Sequence, residues 1–445
     1  MKKTINNIER GSFMKLTKGA SEATRKYMVD GIRYVCENFK ERAPGTGSER
    51  KAQKYLAGEL EKWSDKVEME DFDLHPGAFM GWIPVAGVIG IISVIFFWLT
   101  YKNVVSGSIL AIIATVFVLL ALACLVIEFL MYREFVDFLF PKKTSRNVMA
   151  RRAPKGEVKR RIIFGGHTDA ANEWTYSLHG GLKSLAPVMG GSIGGLIAIS
   201  IFDVVWVIYS LMGGAYESTF WFVAGIIQLI LVPFFVAICF FINWKVIVDG
   251  ANDNLTADFI AMGVLKEMAE NDFRFENTEV CALLAGSEEA GLRGSVAYAK
   301  RHKEDLSDVE TIFIAMDTMR EIEQLQIYTN GCTGTQKNSN AVAEVIYEAG
   351  VNCGIEMAET ELYPGAIDAE GFSRYGLMAS GFCGVNHDPK TYYHTRLDTP
   401  DNMSEECINL SLDICLEAAK LYDEKGGIDA FREEGAKRFK RGHNK

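Results

Sequence analysis

Four stretches of the chain are almost continuously apolar, and each is about 20 residues long, the length that crosses the hydrocarbon core of a bilayer. They run from Trp82 to Tyr101, Ser108 to Met131, Val188 to Met212 and Phe220 to Trp244. Buried core helices seldom run so far without a charged residue. Trp and Tyr side chains lie near the ends of the stretches, as they do at membrane interfaces. The pattern predicts four transmembrane helices in two hairpins.

Shorter apolar runs alternate with helical patterns in the more polar remainder. Arg161–Gly166, Val280–Gly286 and Thr311–Asp317 have the pattern of buried strands, and Thr256–Glu270 and Leu292–His302 that of helices. Strands that alternate with helices predict an α/β fold, with a central sheet that carries helices on both faces. We therefore predict one globular domain into which two transmembrane hairpins are inserted.

The predicted boundaries follow from these patterns. They are 1–80 for the N-terminal part of the globular domain, 82–131 for the first hairpin, 132–187 for the next part of the domain, 188–244 for the second hairpin, 245–425 for the remainder, and 426–445 for a basic tail. For the tail we consider two interpretations, a solvated amphipathic helix and a contact with anionic lipid.

The charge distribution predicts the orientation in the membrane. The segment 132–161 holds ten basic and three acidic residues, whereas the loop 102–107 holds one basic residue and the loop 213–219 none. By the positive-inside rule, the globular domain is predicted to lie in the cytoplasm, beneath a cell membrane that the chain crosses four times. Nine scattered cysteines suit free thiols in a reducing compartment. A net charge of −10 argues against nucleic acid as a partner.

The third apolar stretch carries two unusual features. Asp203 lies near its middle, at a depth similar to that of Gln228 in the fourth stretch. We expect either a hydrogen bond between these two side chains or a role of Asp203 in substrate or proton movement. Four glycines near the start of the stretch suit close helix packing, either within the hairpin or between protomers of an oligomer: Gly190, Gly191, Gly194 and Gly195.

Candidate metal ligands follow the predicted strands. His167 and Asp169 follow the first strand, Glu288 and Glu289 the second, and Asp317 ends the third. Two further candidates lie in turn-rich segments, Asp253 and His394. Side chains at the carboxyl ends of strands in an α/β sheet meet at one edge. Nitrogen and oxygen ligands of this kind suit zinc or a similar divalent metal.

The order of these motifs resembles that of the co-catalytic zinc aminopeptidases of clan MH, which include bacterial leucyl aminopeptidase, aminopeptidase Y and glutamate carboxypeptidase. The family order is H-x-D, G-x-x-D-N, E-E followed by G-L-x-G-S, D, and H-T-x-x-D-T. The matching residues here are His167–Asp169, Gly250–Asn254, Glu288–Ser295, Asp317 and His394–Thr399. The segments Arg42–Leu60 and Arg146–Arg152 also resemble a helix and a strand of the family.

The resemblance implies the zinc exopeptidase fold, two Zn²⁺ per chain and an aminopeptidase that acts on peptides with a free N-terminus. Asp253 would bridge the metals, Glu289 and His394 would complete one site, and His167 and Asp317 the other. Asp169 would orient His167. Glu288 would be the general base that moves a proton from water to the leaving amine.

Two departures from the family pattern limit this transfer. Between Asp169 and Asp253 lie 83 residues that include a predicted hairpin. A full hairpin returns the chain to the same side, so that the two motifs can still meet. Where family members often carry an Asp-His pair, this chain has Asp368 followed by Ala369. His387 is a further candidate for supporting the metal ligands.

Two other function classes stay open. One is acyl transfer, as in the glutaminyl cyclases that resemble this family. Those enzymes work with one metal, so that the presence of both His167 and Asp317 argues for the peptidase. The other is a non-catalytic membrane receptor or scaffold, which loss of ligands would indicate.

Overall fold

The chain forms a mixed nine-stranded sheet, to which four long apolar helices are attached. The computed structural model describes residues 20–102, 104, 107–361, 365–386 and 392–444. In chain order the strands are β1 (Lys66–Leu74), β2 (Lys143–Arg152), β3 (Arg160–His167), β4 (Asn172–Trp174), β5 (Ile242–Ile247), β6 (Thr278–Ala285), β7 (Glu310–Met319), β8 (Gln326–Gly331), β9 (Gln336–Lys337), β10 (Ala358–Glu361) and β11 (Met378–Gly384). The strand order in the sheet is β1-β2-β6-β3-β7-β11-β8-β10, and β9 pairs with β8. β4 and β5 form a separate pair.

Helices cover both faces of this sheet. In chain order the helices are α1 (Glu22–Asn38), α2 (Gly47–Leu60), α3 (Ala78–Tyr101), α4 (Gly107–Ala123), α5 (Thr175–Gly180), α6 (Leu182–Leu211), α7 (Thr219–Ile238), α8 (Thr256–Glu270), α9 (Arg293–Arg301), α10 (Asn340–Asn352), α11 (Asp368–Ser373), α12 (Glu405–Glu424) and α13 (Asp429–Arg438). The α/β fold class predicted from the sequence is confirmed.

The parallel strands β3, β6 and β7 form the buried centre of the sheet. Along β3, Ile162 and Phe164 belong to the core beneath α8, whereas Ile163 belongs to the core beneath α9 and α11 on the opposite face. A strand that is buried on both faces reads as a continuous apolar run, because successive side chains point to opposite faces. This explains why these three strands could be predicted from the sequence.

Among the described residues, four helices are long and apolar enough to cross a membrane: Ala78–Tyr101, Ser108–Leu130, Leu182–Leu211 and Thr219–Ile238. The second of these comprises α4 and a π-helical end, Cys124–Leu130. α3 packs against α4 and α7, and α6 packs against the same two helices. The helices thus form a four-helix bundle in which α3 and α6 lie diagonally.

The second pair of long helices differs from the predicted span limits. α6 begins at Leu182, six residues before the predicted start, directly after Gly181 with its positive φ of 56°. α7 ends at Ile238, and the apolar residues that follow it form β5, which pairs with β4. Phe241 and Ile242 are buried between the bundle and the globular domain. Their apolar character therefore reflects this junction and not a longer helix.

The predicted hydrogen bond between Asp203 and Gln228 is wrong. Asp203 accepts a hydrogen bond of 2.7 Å from the Ser93 hydroxyl of α3, and its backbone carbonyl accepts one of 2.9 Å from Thr115. Asp203 therefore points toward the bundle interior. Gln228 instead lines a separate cavity of about 290 Å³ between α6 and α7, and its side-chain amide has no partner among the described residues.

The glycines of α6 divide into two sets. A Cβ atom on Gly191 would lie 2.2 Å from the Phe234 ring, and one on Gly195 would lie 3.1 Å from the Phe235 ring, so that these glycines allow α7 to approach closely. Gly190 and Gly194 have open space at the same position. Close packing within the hairpin accounts for one set only, and an oligomer through the other set stays a prediction.

The basic tail folds onto the globular domain. α13 packs against α10, and Arg438 pairs with Glu344 at 2.9 Å. Beyond the helix, the His443 carbonyl accepts a hydrogen bond from the Asn340 amide.

Candidate metal centre

The carboxyl ends of the central strands bring the chemically distinctive residues to one edge of the sheet. His167 is the last residue of β3 and pairs in register with Ala285, the last residue of β6. Glu288 and Glu289 follow β6 in a short turn, and Asp317 lies near the end of β7. Parallel strands end at the same edge, which is why motifs distant in sequence meet here.

Four of the predicted metal ligands converge at hydrogen-bond distances. His167 Nε2 lies 3.2 Å from Asp253 Oδ1, and His394 Nε2 lies 3.1 Å from Asp253 Oδ2. His394 Nε2 also lies 3.2 Å from Glu289 Oε1. The two oxygens of Asp253 therefore face two different histidines. Ligand atoms of His167, Asp253 and Glu289 all lie within 4.8 Å of one another.

Asp317 lines the same cavity as Asp253, Glu288, Glu289 and His394. Its carboxylate accepts a hydrogen bond of 2.8 Å from the Thr318 hydroxyl. Burial and the charge of Asp253 raise the pKa of Asp317 well above its usual value.

The Glu288–Glu289 turn is held by Asp169. The backbone N–H groups of Glu288 and Glu289 donate hydrogen bonds of 2.9 and 3.0 Å to the two carboxylate oxygens of Asp169. Asp169 Oδ1 also lies 3.4 Å from His167 Nδ1. Asp169 thus lies beside the ring of His167, as the sequence suggested, and it also fixes the turn that carries the predicted base.

Glu49 supports the same turn from α2, and sequence reasoning did not identify it. One oxygen of Glu49 accepts hydrogen bonds from the Ser287 amide and hydroxyl, at 2.8 and 2.9 Å, and the other accepts from the Gly45 amide. Ser287 has a φ of 54°, a conformation that needs such support in a residue other than glycine. The only sequence signal was the position of Glu49 in the family-like segment Arg42–Leu60.

Two further residues position Asp253. Asp398 accepts hydrogen bonds from the backbone amides of Asn252 and Asp253, at 2.7 and 3.1 Å. The buried Arg42 guanidinium donates to the Thr168 carbonyl and to the Asp249 carbonyl, and so ties the first histidine motif to the segment that leads to Asp253. Both residues lie within motifs quoted from the sequence, but their roles depend on contacts that spacing does not reveal.

His394 lies in an aromatic pocket. The Tyr393 ring stacks on the imidazole at a centroid distance of 4.1 Å, and the Trp174 ring meets it edge-on at 4.3 Å. The Trp174 backbone amide donates to the His394 carbonyl. Because Trp174 belongs to β4, the segment between the two hairpins directly fixes a predicted metal ligand. His387 lies outside the described residues.

The donor set suits zinc. Several buried atoms in this cluster make no hydrogen bond of normal geometry within the described part of the chain: His167 Nδ1 and Nε2, Asp253 Oδ2, Glu289 Oε1 and His394 Nδ1. Buried polar atoms normally have partners. Two ligands about 2.0–2.1 Å from one tetrahedral zinc ion lie roughly 3.3 Å apart. The observed nitrogen–oxygen separations of 3.1–3.2 Å match this spacing.

The electrostatics of the cluster agree with a cation site. Burial raises the pKa of Glu288 well above its usual value, with the His167 imidazole offsetting part of the effect and Glu289 adding to it. Burial also raises the pKa of Asp398 to about 7, and the charge of Asp253 adds to it. So many carboxylates in one buried place are costly without compensating positive charge.

A cavity of about 510 Å³ opens at the cluster. Its floor includes Asp253, Glu288 and Glu289, and its walls are largely apolar. A second and more polar cavity, of about 230 Å³, adjoins it and shares Met80, Trp174 and Glu289. The site is therefore a cleft large enough for a small organic ligand beside a candidate metal centre.

The buried side chain of Glu370 is expected to make the stability dependent on pH. Burial raises its pKa to about 7, although the Ile367 amide and Asn338 donate hydrogen bonds to it. When the pKa of a carboxyl is higher in the folded than in the unfolded protein, its protonated form favours folding. This contribution is fully present below the pKa of the unfolded state and is lost as pH rises from about 4.5 to about 7. In Glu370→Gln that loss is absent. We therefore expect the unfolding free energy of the variant, relative to that of wild type, to be higher at pH 8 than at pH 5, by at most about 3 kcal/mol. Urea titrations at the two pH values measure this difference. An unchanged difference between the two pH values would contradict the assignment.

Comparisons with known proteins agree with this description. The sequence model of peptidase family M28 matches residues 239–419, which is less than half of the chain. No match was found among curated protein sequences. An aminopeptidase from Aneurinibacillus sp. strain AM-1 has a similar structure, with a TM-score of 0.53, 14% identity and coverage of 92% of this chain and 95% of that one.

Two further solved structures have the same fold. A zinc aminopeptidase from Bacillus subtilis has a TM-score of 0.52 and 14% identity, over 90% of this chain and 94% of that one. A glutaminyl cyclase from Fimbriiglobus ruber has a TM-score of 0.52 and 13% identity, over 89% and 95%. At such identities the likeness establishes the fold. The chain therefore has the zinc exopeptidase fold, and its residues 239–419 are similar to peptidase family M28.

Proposed function

We propose that this protein is a membrane-anchored, zinc-dependent aminopeptidase that removes the N-terminal residue from peptides. The observation that carries the proposal is the position of Asp253, whose two carboxylate oxygens face His167 and His394 separately. A carboxylate in this position suits a pair of metal ions, with Glu289 beside His394 and Asp317 in the same cavity. Each of the five ligand positions in the family order holds a His, Asp or Glu in this chain. This argues against a non-catalytic scaffold.

The chain's own residues have distinct roles in this mechanism. Zinc ions held by these ligands would supply Lewis acidity that polarises a peptide carbonyl and lowers the pKa of water. Glu288 Oε2 lies 3.8 Å from His167 Nε2, farther than the 3.1–3.2 Å that separate the nitrogen and oxygen atoms of the proposed ligands. It is placed to take a proton from attacking water and to deliver it to the leaving amine. Asp169 keeps Glu288 in position through the backbone of the turn.

The four apolar helices are proposed to anchor the domain in a membrane. Both hairpins join the globular domain on the side of the cleft, because Phe79 and Leu182 at the starts of α3 and α6 line the same cavity as Asp253. The basic segment 132–161 favours a cytoplasmic domain. Peptides and the lipid bilayer are therefore the proposed partners.

Hydrolysis of an aminoacyl-anilide panel tests the activity. The detergent-purified protein is expected to cleave at least one unblocked substrate after zinc loading. A chelator should abolish this cleavage, and added zinc should restore it. Cleavage that survives complete removal of metal would contradict the proposal.

Metal analysis tests the role of Asp253. Wild-type protein is expected to hold two zinc ions per chain, and Asp253→Ala to lose at least half of the zinc, since both histidine sites lose an oxygen ligand. The exposed Asp401, which pairs with Arg33 on the surface, provides the control variant Asp401→Ala. Elemental analysis of dialysed protein measures the number of zinc ions per chain. An unchanged zinc content in Asp253→Ala would show that Asp253 is not a ligand.

Glutaminyl cyclization is the second candidate, because a solved glutaminyl cyclase shares the fold. A peptide with N-terminal Gln separates the two activities. Cyclization releases ammonia and leaves the peptide bonds intact, whereas an aminopeptidase releases free glutamine. Ammonia without free amino acid would favour the cyclase.

A further inference from the structure

The cavity above the candidate metal centre is built jointly by the globular domain and the apolar helices. Its floor carries Asp253, Glu288 and Asp317. Its walls are formed by the first turn of α3, the last turn of the second long helix and the first three turns of α6. The residues on these walls are Phe79, Met80, Phe129, Leu130, Leu182, Leu185, Ala186, Met189 and Ile193.

The chemistry of these walls selects for an apolar group. Away from the metal-ligand candidates, the described lining residues include no Lys and no Arg. Nothing in that part of the lining would therefore pair with an acidic side chain. The apolar surface also continues deeper into the bundle, because Phe129, Met189 and Ile193 line a second, small and almost wholly apolar cavity of about 40 Å³.

The rim of the cavity reaches the outer surface of the helix bundle. Leu182 lines the cavity and is 50% exposed, and Ala186, one turn further along α6, is exposed as well. These residues belong to a helix long and apolar enough to cross a membrane. An apolar group dissolved in the adjacent lipid would meet this rim before it meets the metal-ligand candidates.

A different route suits the polar part of a peptide. The adjoining cavity of about 230 Å³ shares Glu289 with the apolar one, and Lys143 and Asn172 line it. Glu289 thus lies between an apolar space that faces the helix bundle and a more polar space that faces the globular domain. A substrate with one apolar end and one peptide end fits both spaces at once.

We propose that the transmembrane helices form the pocket that binds the N-terminal side chain of the peptide, and that an apolar side chain enters this pocket from the bilayer and lies between α3, the end of the second long helix and α6. The inference rests on the proposed aminopeptidase function and names the part of the chain that selects its substrate. The transmembrane helices then form the specificity pocket as well as the anchor. Met189 lies where the two apolar cavities adjoin, because it lines both of them.

Substrate length tests this pocket. Wild-type protein is expected to hydrolyse the anilide of 2-aminodecanoic acid with a kcat/KM at least about tenfold above that of alanine anilide, because each buried methylene favours binding. Met189→Trp should lower this ratio at least about fivefold by filling the pocket. Ile197→Trp, two turns further on the same helix at an exposed position outside the cavity, should leave it unchanged. Equal rates for both substrates, or equal ratios in both variants, would overturn the proposal.

Photo-crosslinking gives a readout that does not need turnover. The probe is 2-aminodecanoic acid with a diazirine at the end of its side chain, added to zinc-loaded protein. We expect crosslinks in residues 182–193 or 125–130 that excess 2-aminodecanoic acid prevents and alanine does not. Such crosslinks without any hydrolysis would support the pocket and contradict the proposed activity. Crosslinks confined to exposed positions such as Ile197 and Ile201 would contradict the pocket, even in an active enzyme.

Discussion

Replacing Glu288 by Gln is expected to lower kcat by at least about 10²-fold while the zinc content stays at the wild-type value. Glutamine keeps the size of the side chain and the backbone hydrogen bond to Asp169, but it cannot accept a proton from water. The loss should appear in kcat more than in KM, because the group acts in the proton transfer and not in holding the metal.

The matched control is Glu323→Gln, a substitution at an exposed glutamate outside the cleft. Steady-state kinetics and elemental analysis on the same samples separate the two roles. If Glu288→Gln loses zinc together with activity, Glu288 helps to hold the metal and its assignment as the general base alone is wrong. If activity persists within a factor of a few, another group is the base.

Replacing Arg293 by Met is expected to destabilise the fold by about 3–5 kcal/mol, the range for removing one partner of a buried ion pair. Arg293 Nη2 lies 2.6 Å from Glu128 Oε1 and 3.3 Å from Asp137 Oδ1, and the side chains of Arg293 and Glu128 are 2% and 0% exposed. Methionine replaces the apolar part of the arginine side chain but leaves both carboxylates without their cation. This cluster joins the end of the second long helix to the helix that follows the Glu288–Glu289 turn, so that activity should fall as well.

The double variant Arg293→Met/Glu128→Gln provides the control for this prediction. Removing the unpaired charge should recover part of the lost stability, and the coupling energy from the double-mutant cycle measures the pair. Denaturant unfolding in detergent, followed by the fluorescence of tryptophan, gives the free energies. Strictly additive effects of the two substitutions would show that the pair contributes nothing to the junction.

The parts of the fold that the sequence predicted are those with a strong local pattern. β3, β6 and β7 could be predicted because they are buried on both faces and therefore read as apolar runs, and α8 was predicted at its observed limits, Thr256–Glu270. The fourth long helix was predicted to end later than it does, because Phe241 and Ile242 are apolar for a tertiary reason. Asp203 was assigned the wrong partner, since depth along a hairpin does not tell which face of a helix a side chain occupies.

The site, too, contains residues that could be predicted from the sequence and residues that could not. His167, Asp253, Glu289 and His394 could be proposed from motif order, and the structure brings them together. Apart from Asp169 and Tyr393, which are close in sequence to the histidines, the residues that support the ligands could not be predicted, because each is a single polar or aromatic residue whose partner is distant in sequence. Glu49 contacts Ser287 across 238 positions, and Trp174 reaches His394 from the other side of a hairpin. The apolar pocket was equally hidden, because it exists only where separate helices meet.

The most direct test of the central claim is the release of the first amino acid from one peptide in two forms, with a free and with an acetylated N-terminus. The peptide should begin with a large apolar residue. It is incubated with zinc-loaded wild-type protein, and the products are identified by mass spectrometry. The proposed aminopeptidase predicts stepwise removal of residues from the free form and none from the acetylated form. Cleavage of both forms at an internal bond, or of neither form by protein that holds its zinc, would contradict it.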